Sequence, residues 1–130
     1  MAINRMEIGV VGVTFEGRQG VLASLYQEQE QNVPIAGMLQ RKPDNRYDAN
    51  AIRVLVATPT QGQHVGYVPR DLAAKLAPRL DAGEVAQVTG VRIIRGDHDH
   101  RVTYGARIDA QFESSEKEAV TCQQPQPRLL

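Results

Sequence analysis

The chain has 130 residues, of which 42% are hydrophobic and 23% are charged. This composition fits one globular domain and excludes a wholly disordered or membrane-embedded chain. The 15 basic and 15 acidic residues cancel, which excludes a protein that coats nucleic acid through a basic face. A single cysteine, Cys122, cannot form an internal disulfide, and no signal-type or membrane-spanning apolar run is evident. We therefore expect a cytoplasmic protein.

The first half of the chain predicts three strands and one helix. Residues 8–15 are rich in β-branched side chains, which favours a buried strand. Apolar residues at helical spacing predict a short helix over 18–29. Residues 33–40 and 51–57 predict the second and third strands. Pro43 ends the second strand because it lacks a backbone donor.

The second half predicts a short strand, a helix and two long strands. The short strand covers residues 64–68, and the helix opens at Pro69 and ends at Gly83. The long strands cover residues 85–94 and 101–112. No internal repeat and no alternation of strands with helices is present, so the predicted fold is mainly β, an antiparallel barrel with two helices.

The last residues differ in composition from the rest of the chain. After Phe112 the sequence turns to Glu, Ser, Gln and Pro and loses its periodicity. Such a segment cannot bury enough apolar surface to fold. We expect one domain over residues 1–112 and a disordered tail over residues 113–130.

The most informative segment is RKPDNRYDANAIRV, residues 41–54. It holds two Asp, two Asn, one aromatic residue and four cations in fourteen residues, and it leads directly into an apolar strand. This concentration of polar groups indicates a site. A turn whose Asp and Asn side chains bond only their own backbone is the alternative.

Three segments in order, VGVTF (11–15), RKPDNRYDANAIRV (41–54) and VGYVPR (65–70), resemble the HIRAN domain family over roughly residues 8–83. The resemblance implies an OB-like β-barrel. Such domains stand at the front of fork-remodelling, helicase-like translocases in eukaryotes and occur alone in bacteria and phages, and we expect a stand-alone member here. The translocase versions hold the 3′-hydroxyl end of single-stranded DNA, so DNA ends are the expected partner.

The resemblance also assigns roles to individual residues. Phe15 and Tyr47 would stack on bases, with Tyr67 close by, and Asp48 would accept a hydrogen bond from the terminal 3′-hydroxyl. An exposed ring stacked on a base contributes roughly 1 to 3 kcal/mol. The alternative for each ring is core packing. For Asp48 it is a turn with the amide of Asn50 or a bond that holds Arg46.

Cations near these rings are candidates for phosphate contacts. They are Arg18, Arg41, Lys42, Arg46 and Arg70. Family members that bind DNA carry a basic residue where this chain has Thr14, so Thr14 brings a hydrogen bond but no charge. We expect weaker affinity unless Arg18 compensates.

Two other functions remain open at the sequence level. A metal-dependent nuclease would require Asp44 and Asp48 to converge with the 97–100 turn, where His98 and His100 alternate with Asp97 and Asp99. A solvated hairpin turn explains that tetrad more simply. A protein-interaction domain that has lost DNA binding is the third reading. No catalytic motif is present, and we expect no cofactor, no metal and a possible protein partner in DNA repair or replication.

Overall fold

The computed structural model describes residues 3–14, 17–99 and 101–113. Within these ranges the chain forms six strands and two helices. The elements, in chain order, are β1 Ile3–Gly9, α1 Arg18–Glu30, β2 Ala36–Arg41, β3 Ile52–Thr58, β4 Gln61–Tyr67, α2 Arg70–Asp81, β5 Val85–His98 and β6 Arg101–Glu113. The mainly β class with two helices is confirmed.

The strands pair into two antiparallel sheets of three strands each. The first sheet has the order β1-β6-β5 and the second has the order β2-β3-β4. In the long β5–β6 hairpin, His98 pairs with Arg101, and Asp99 in the turn has a positive φ of 50°. The β3–β4 hairpin is equally tight, with Thr58 opposite Gln61. Two antiparallel sheets are consistent with the OB-like fold that the resemblance implies.

The two sheets approach each other on both sides. On one side Gly37 of β2 lies so close to β5 that an added Cβ would stand 2.8 Å from Val88 Cγ1 and 2.9 Å from Val91 Cγ2. On the other side Val11, just after β1, exchanges two backbone hydrogen bonds of 2.9 Å with Tyr67 at the end of β4. The end of β4 is therefore fixed to the segment that follows β1.

The core lies between the sheets and the two helices. β3 alternates buried and partly exposed residues, so Ile52, Val54 and Val56 point inward. Leu22 of α1 and Phe112 of β6 are fully buried beside them. Burying such side chains contributes roughly 1.5 to 3 kcal/mol each.

Two glutamines of α1 bond to backbone groups of the first sheet. Gln19 Nε2 donates to the Tyr104 carbonyl at 2.7 Å, and Gln19 Oε1 accepts from the Tyr104 amide at 2.8 Å, beyond the point where β1 ends. Gln29 makes the same pair of bonds with Ile93 of β5, at 2.8 and 2.7 Å. α1 is thereby attached to β5 and β6 through two reciprocal amide pairs.

The predicted helices agree well with the structure, whereas the first predicted strand is wrong. β1 covers Ile3–Gly9 instead of residues 8–15. The β-branched run continues past Gly9, but Gly12 has a φ of 74°, a left-handed conformation that ends extended geometry. β5 also runs four residues further than predicted, to His98.

The predicted tail lies outside the described residues, apart from Glu113, which ends β6. The division into residues 1–112 and 113–130 stays a prediction. In the described part of the chain, neither helix has the length and apolar character to cross a membrane. The cytoplasmic compartment also stays a prediction.

Candidate functional site

The loop between β2 and β3, residues 42–51, is held at its base by Arg41. The guanidinium donates from Nε and Nη2 to the two carboxylate oxygens of Asp81, at 2.9 and 3.1 Å, which ties the loop to the end of α2. Its Nη1 donates to the carbonyls of Ala49 and Ala51 at 2.9 and 3.1 Å. The bond to Asp81 raises the pKa of Arg41, and the same bond lowers the pKa of Asp81. We call these four residues the base of the loop.

Asn45 organises the middle of the loop. Its Oδ1 accepts hydrogen bonds from the amides of Tyr47 and Asp48, at 2.9 and 3.1 Å. Its Nδ2 donates to the Tyr67 hydroxyl at 3.4 Å. The side chain thus performs the bracing role that Asn commonly has in turns, and it also connects the loop to β4.

The outer part of the loop presents an exposed ring beside a half-buried carboxylate. The Tyr47 side chain is 79% exposed, and the Arg46 guanidinium lies 5.6 Å from its ring centroid. Asp48 Oδ1 accepts from the Asn50 amide at 2.9 Å, and Oδ2 lies 3.7 Å from Arg70 Nε. Arg70, the first residue of α2, is 77% exposed, whereas Asp48 is only 21% exposed. We call Arg46, Tyr47, Asp48 and Arg70 the tip.

The alternative interpretation of Asp48 as a turn residue is correct for one of its oxygens. The second oxygen faces Arg70 and takes no part in the Asn50 turn. One carboxylate therefore stabilises the loop and also presents charge at its surface.

Tyr67 lies between the loop and the first turn of α1. The Arg18 guanidinium lies 5.5 Å from the Tyr67 ring centroid, and the His64 ring meets Tyr67 edge-on at 4.9 Å. Arg18 is buried, with 5% of its surface exposed, and its Nη1 donates to the Gly12 carbonyl at 2.6 Å. The sequence predicts an exposed phosphate contact at Arg18, but the structure buries its guanidinium against Tyr67 and Gly12.

The other predicted site residues are distributed unevenly. Thr14 is exposed, and Lys42 pairs with Asp44 at 3.3 Å. Phe15 lies outside the described residues. The structure thus brings together Arg46, Tyr47, Asp48 and Arg70, with Tyr67 connected through Asn45, and it uses Arg41 to hold the loop.

The nuclease alternative requires acidic and histidine side chains to converge. Among residues 3–14, 17–99 and 101–113, no three His, Cys, Asp or Glu side chains are grouped so as to hold a metal ion. The His98 side chain and His100 lie outside the description. Asp97 instead accepts a hydrogen bond from Arg95 Nη1 at 3.1 Å, two residues earlier on the same strand.

Sequence reasoning missed the pairing of Arg41 with Asp81. The two residues are 40 positions apart, and in the sequence Asp81 looks like any polar residue near the end of a helix. No local signal identifies such a partner. The bracing role of Asn45, in contrast, follows from its place in a Pro-Asp-Asn turn.

The family of the chain can now be stated. The HIRAN domain family model matches residues 7–113, so the chain belongs to the HIRAN domain family. HIRAN is a binding domain. No solved structure gives a significant match.

Three eukaryotic proteins share part of this sequence. The chain is 47% identical over 53 residues to the helicase-like transcription factor of Oryctolagus cuniculus and 45% identical over 53 residues to that of Mus musculus. Each match covers 41% of this chain and 5% of the relative. A putative SWI/SNF-related matrix-associated actin-dependent regulator of chromatin subfamily A member 3-like 1 from Arabidopsis thaliana is 36% identical over 78 residues, which are 59% of this chain and 8% of that protein. The chain thus matches a small fraction of each relative's length.

Proposed function

We propose that this domain binds single-stranded DNA and prefers its 3′-hydroxyl end. The observation that carries the proposal is the tip, where the exposed Tyr47 ring adjoins a half-buried Asp48 carboxylate and an exposed Arg70 guanidinium. A ring, a hydrogen-bond acceptor and a cation match the three chemical parts of a terminal nucleotide, which are its base, its 3′-hydroxyl and its phosphate.

Each group has a definite role in this proposal. The terminal base stacks on Tyr47, and Arg46, already 5.6 Å from that ring, adds a cation beside it. Asp48 Oδ2 accepts from the 3′-hydroxyl while Oδ1 keeps its bond to Asn50. Arg70 binds the phosphate at the start of α2, where the unpaired helix amides also favour an anion.

The other predicted contact residues have structural or secondary roles in this proposal. Arg41 and Arg18 act through structure, since one holds the loop base and the other is buried against Tyr67. Thr14 and Lys42 are secondary contacts, and Phe15 remains a candidate for a second stacking ring. The zero net charge limits affinity to what these local contacts provide.

The test compares strands ending in a 3′-hydroxyl with strands ending in a 3′-phosphate. A 3′-phosphate would place negative charge against Asp48, so the unmodified end should bind more tightly, and a 5′-phosphate should have little effect. Asp48→Ala should reduce affinity for 3′-hydroxyl strands ten-fold or more, because losing a charged hydrogen-bond partner costs about 1.5 to 3 kcal/mol. Fluorescence anisotropy measures both.

Two further variants separate charge from loop structure. Asp48→Asn keeps an oxygen that can accept a hydrogen bond from the Asn50 amide but removes the charge. It should therefore reduce the difference in affinity between strands ending in a 3′-hydroxyl and strands ending in a 3′-phosphate. Asp97→Ala is the control, because it removes one exposed carboxylate from β5, which belongs to the other sheet. Equal binding of both ends by the unmodified protein would contradict end recognition.

The biological setting is also a proposal. The domain would act in DNA repair or replication, and a stand-alone bacterial or phage origin stays a prediction, since the three matched relatives are eukaryotic.

A further inference from the structure

The outer face of the second sheet carries an open apolar groove. Its volume is about 510 Å³, and it is lined mainly by Ala36, Met38, Arg53, Leu55, Ala57 and His64. Met38 is 54% exposed and pairs directly with Leu55 on the neighbouring strand. We call this feature the sheet groove.

The charge of the sheet groove differs from that of a hollow on the first sheet. Among the ten described residues that line it, none is Asp or Glu, and one is Arg53. A hollow of similar volume, about 490 Å³, lies on the outer face of the first sheet, but Glu7 and Asp109 line it together with Arg5. The lining of the sheet groove therefore places no carboxylate against a polyanion bound in it.

The sheet groove is continuous with the tip through Tyr67. Arg53 pairs directly with Tyr67 in the β3–β4 ladder, so both side chains lie on the same sheet face. The His64 ring, which lines the groove, touches the Tyr67 ring at 4.9 Å. Tyr67 in turn is bonded to Asn45, which holds the backbone of Tyr47 and Asp48.

We propose that the sheet groove binds the nucleotides that precede the 3′ end of a single strand. This inference rests on the proposed function, and it adds a second contact region to the same ligand. The terminal nucleotide occupies the tip, and the strand then runs past Tyr67 onto the second sheet. There the bases pack on Met38 and Leu55, and Arg53 binds a phosphate. Arg53 Nη1 donates to Gln40 on the same face at 3.0 Å, which keeps the guanidinium at the rim.

A comparison of strand lengths tests the groove. Every strand has one 3′ end, so a site that reads the end alone binds a thymidine dinucleotide and a thymidine hexanucleotide about equally. With the groove engaged, the hexanucleotide should bind about ten-fold more tightly, a gain of about 1.4 kcal/mol, because its extra bases bury apolar surface on Met38 and Leu55 and one phosphate meets Arg53. Competition against one fluorescent strand at moderate ionic strength measures both ligands.

A pair of matched variants assigns the gain to the groove. Met38→Glu and Val102→Glu both replace an exposed apolar side chain with the same charge, but Val102 lies on β6 outside the groove. Met38→Glu should abolish the gain from length and leave dinucleotide binding unchanged, whereas Val102→Glu should leave both unchanged. Arg53→Gln should reduce the gain by a smaller factor, and it replaces Met38→Glu if that variant does not fold.

Each outcome separates the two proposals. If the dinucleotide binds and the hexanucleotide binds no better, the groove proposal is wrong and end capture stands. If only the hexanucleotide binds and Met38→Glu abolishes that binding, end capture fails and the groove stands; if neither strand binds, both fail. Two further results would overturn the groove proposal. One is an equal loss of the length-dependent gain in affinity in Met38→Glu and Val102→Glu. The other is a dimer in sedimentation that Met38→Glu converts to a monomer.

Discussion

At the base of the β2–β3 loop, Arg41 makes four hydrogen bonds to Asp81, Ala49 and Ala51. At the tip, Arg70 lies 3.7 Å from one oxygen of Asp48 and is largely exposed. The two arginine–aspartate pairs lie at opposite ends of α2, because Arg70 is the first residue of the helix and Asp81 is its last. At the base, the donors of Arg41 are occupied by hydrogen bonds, so this pair stabilises the fold. At the tip, the longer separation and the exposure of Arg70 leave its guanidinium accessible to a ligand.

The largest expected effect is at the tip and concerns Tyr47. Tyr47→Ala should weaken single-strand binding by about 1 to 3 kcal/mol, because an exposed ring is the stacking surface. Its melting temperature should stay nearly unchanged, since the ring is 79% exposed. Tyr47→Phe is the control and should retain most of the affinity. A fall in stability with unchanged affinity would assign the ring to the fold.

The next effect is at the base. Arg41→Ala should lower the free energy of unfolding by about 1 kcal/mol, because the bonds to the loop carbonyls are lost. For a domain of this size that corresponds to a fall in melting temperature of about 4 °C. Thermal unfolding measures it. Arg70→Ala, measured in parallel, should leave the melting temperature unchanged, and equal losses in both variants would remove the distinction between base and tip.

A smaller effect is expected in the salt dependence of DNA binding, and it concerns Arg70. If Arg70 contacts one phosphate, Arg70→Ala should reduce the slope of log affinity against log salt by roughly 0.7. Lys75→Ala removes an exposed cation from the same helix and is the control. A steep slope in the unmodified protein, equivalent to six or more phosphates, would contradict a short binding site.

The smallest effect is the response of the base to acid. The pKa of Asp81 lies below its ordinary value of 3.8 because Arg41 donates to the carboxylate. This bond therefore contributes stability above pH 3.8, and the contribution is lost as the pH falls through the lowered pKa. Asp81→Asn should flatten that part of a plot of melting temperature against pH. In an Arg41→Ala background the same substitution should have no such effect, and a persistent effect would mean that Arg41 is not the cause.

The sequence predicts local features better than distant partners. The spacing of Leu22 and Leu25 predicts α1 within one residue of its observed end, because helical periodicity depends only on residues close together in the sequence. The predicted first strand begins five residues after the observed one, because nothing in the β-branched run reveals that β1 pairs with β6 from Ile3 onward. The fold class follows from such patterns and from the family resemblance.

The candidate site divides in the same way. Residues 41–54 identify the loop, and Asn45 is recognisable as its brace. The burial of Arg18 against Tyr67 and the pairing of Arg41 with Asp81 depend on residues 49 and 40 positions away, respectively. Sequence alone treats all these arginines alike, and it does not reveal that Arg18 is buried and that Arg41 is hydrogen-bonded to Asp81.

The glutamines of α1 have a consequence for association between molecules. A side-chain amide carries the same donor and acceptor as a peptide group, so Gln19 and Gln29 satisfy Tyr104 and Ile93 as a neighbouring strand would. Unpaired strand groups are templates on which a second chain can add a strand and begin to aggregate. Two side chains of one helix therefore cover the backbone groups of Tyr104 and Ile93, which leaves those groups unavailable to a strand of another molecule.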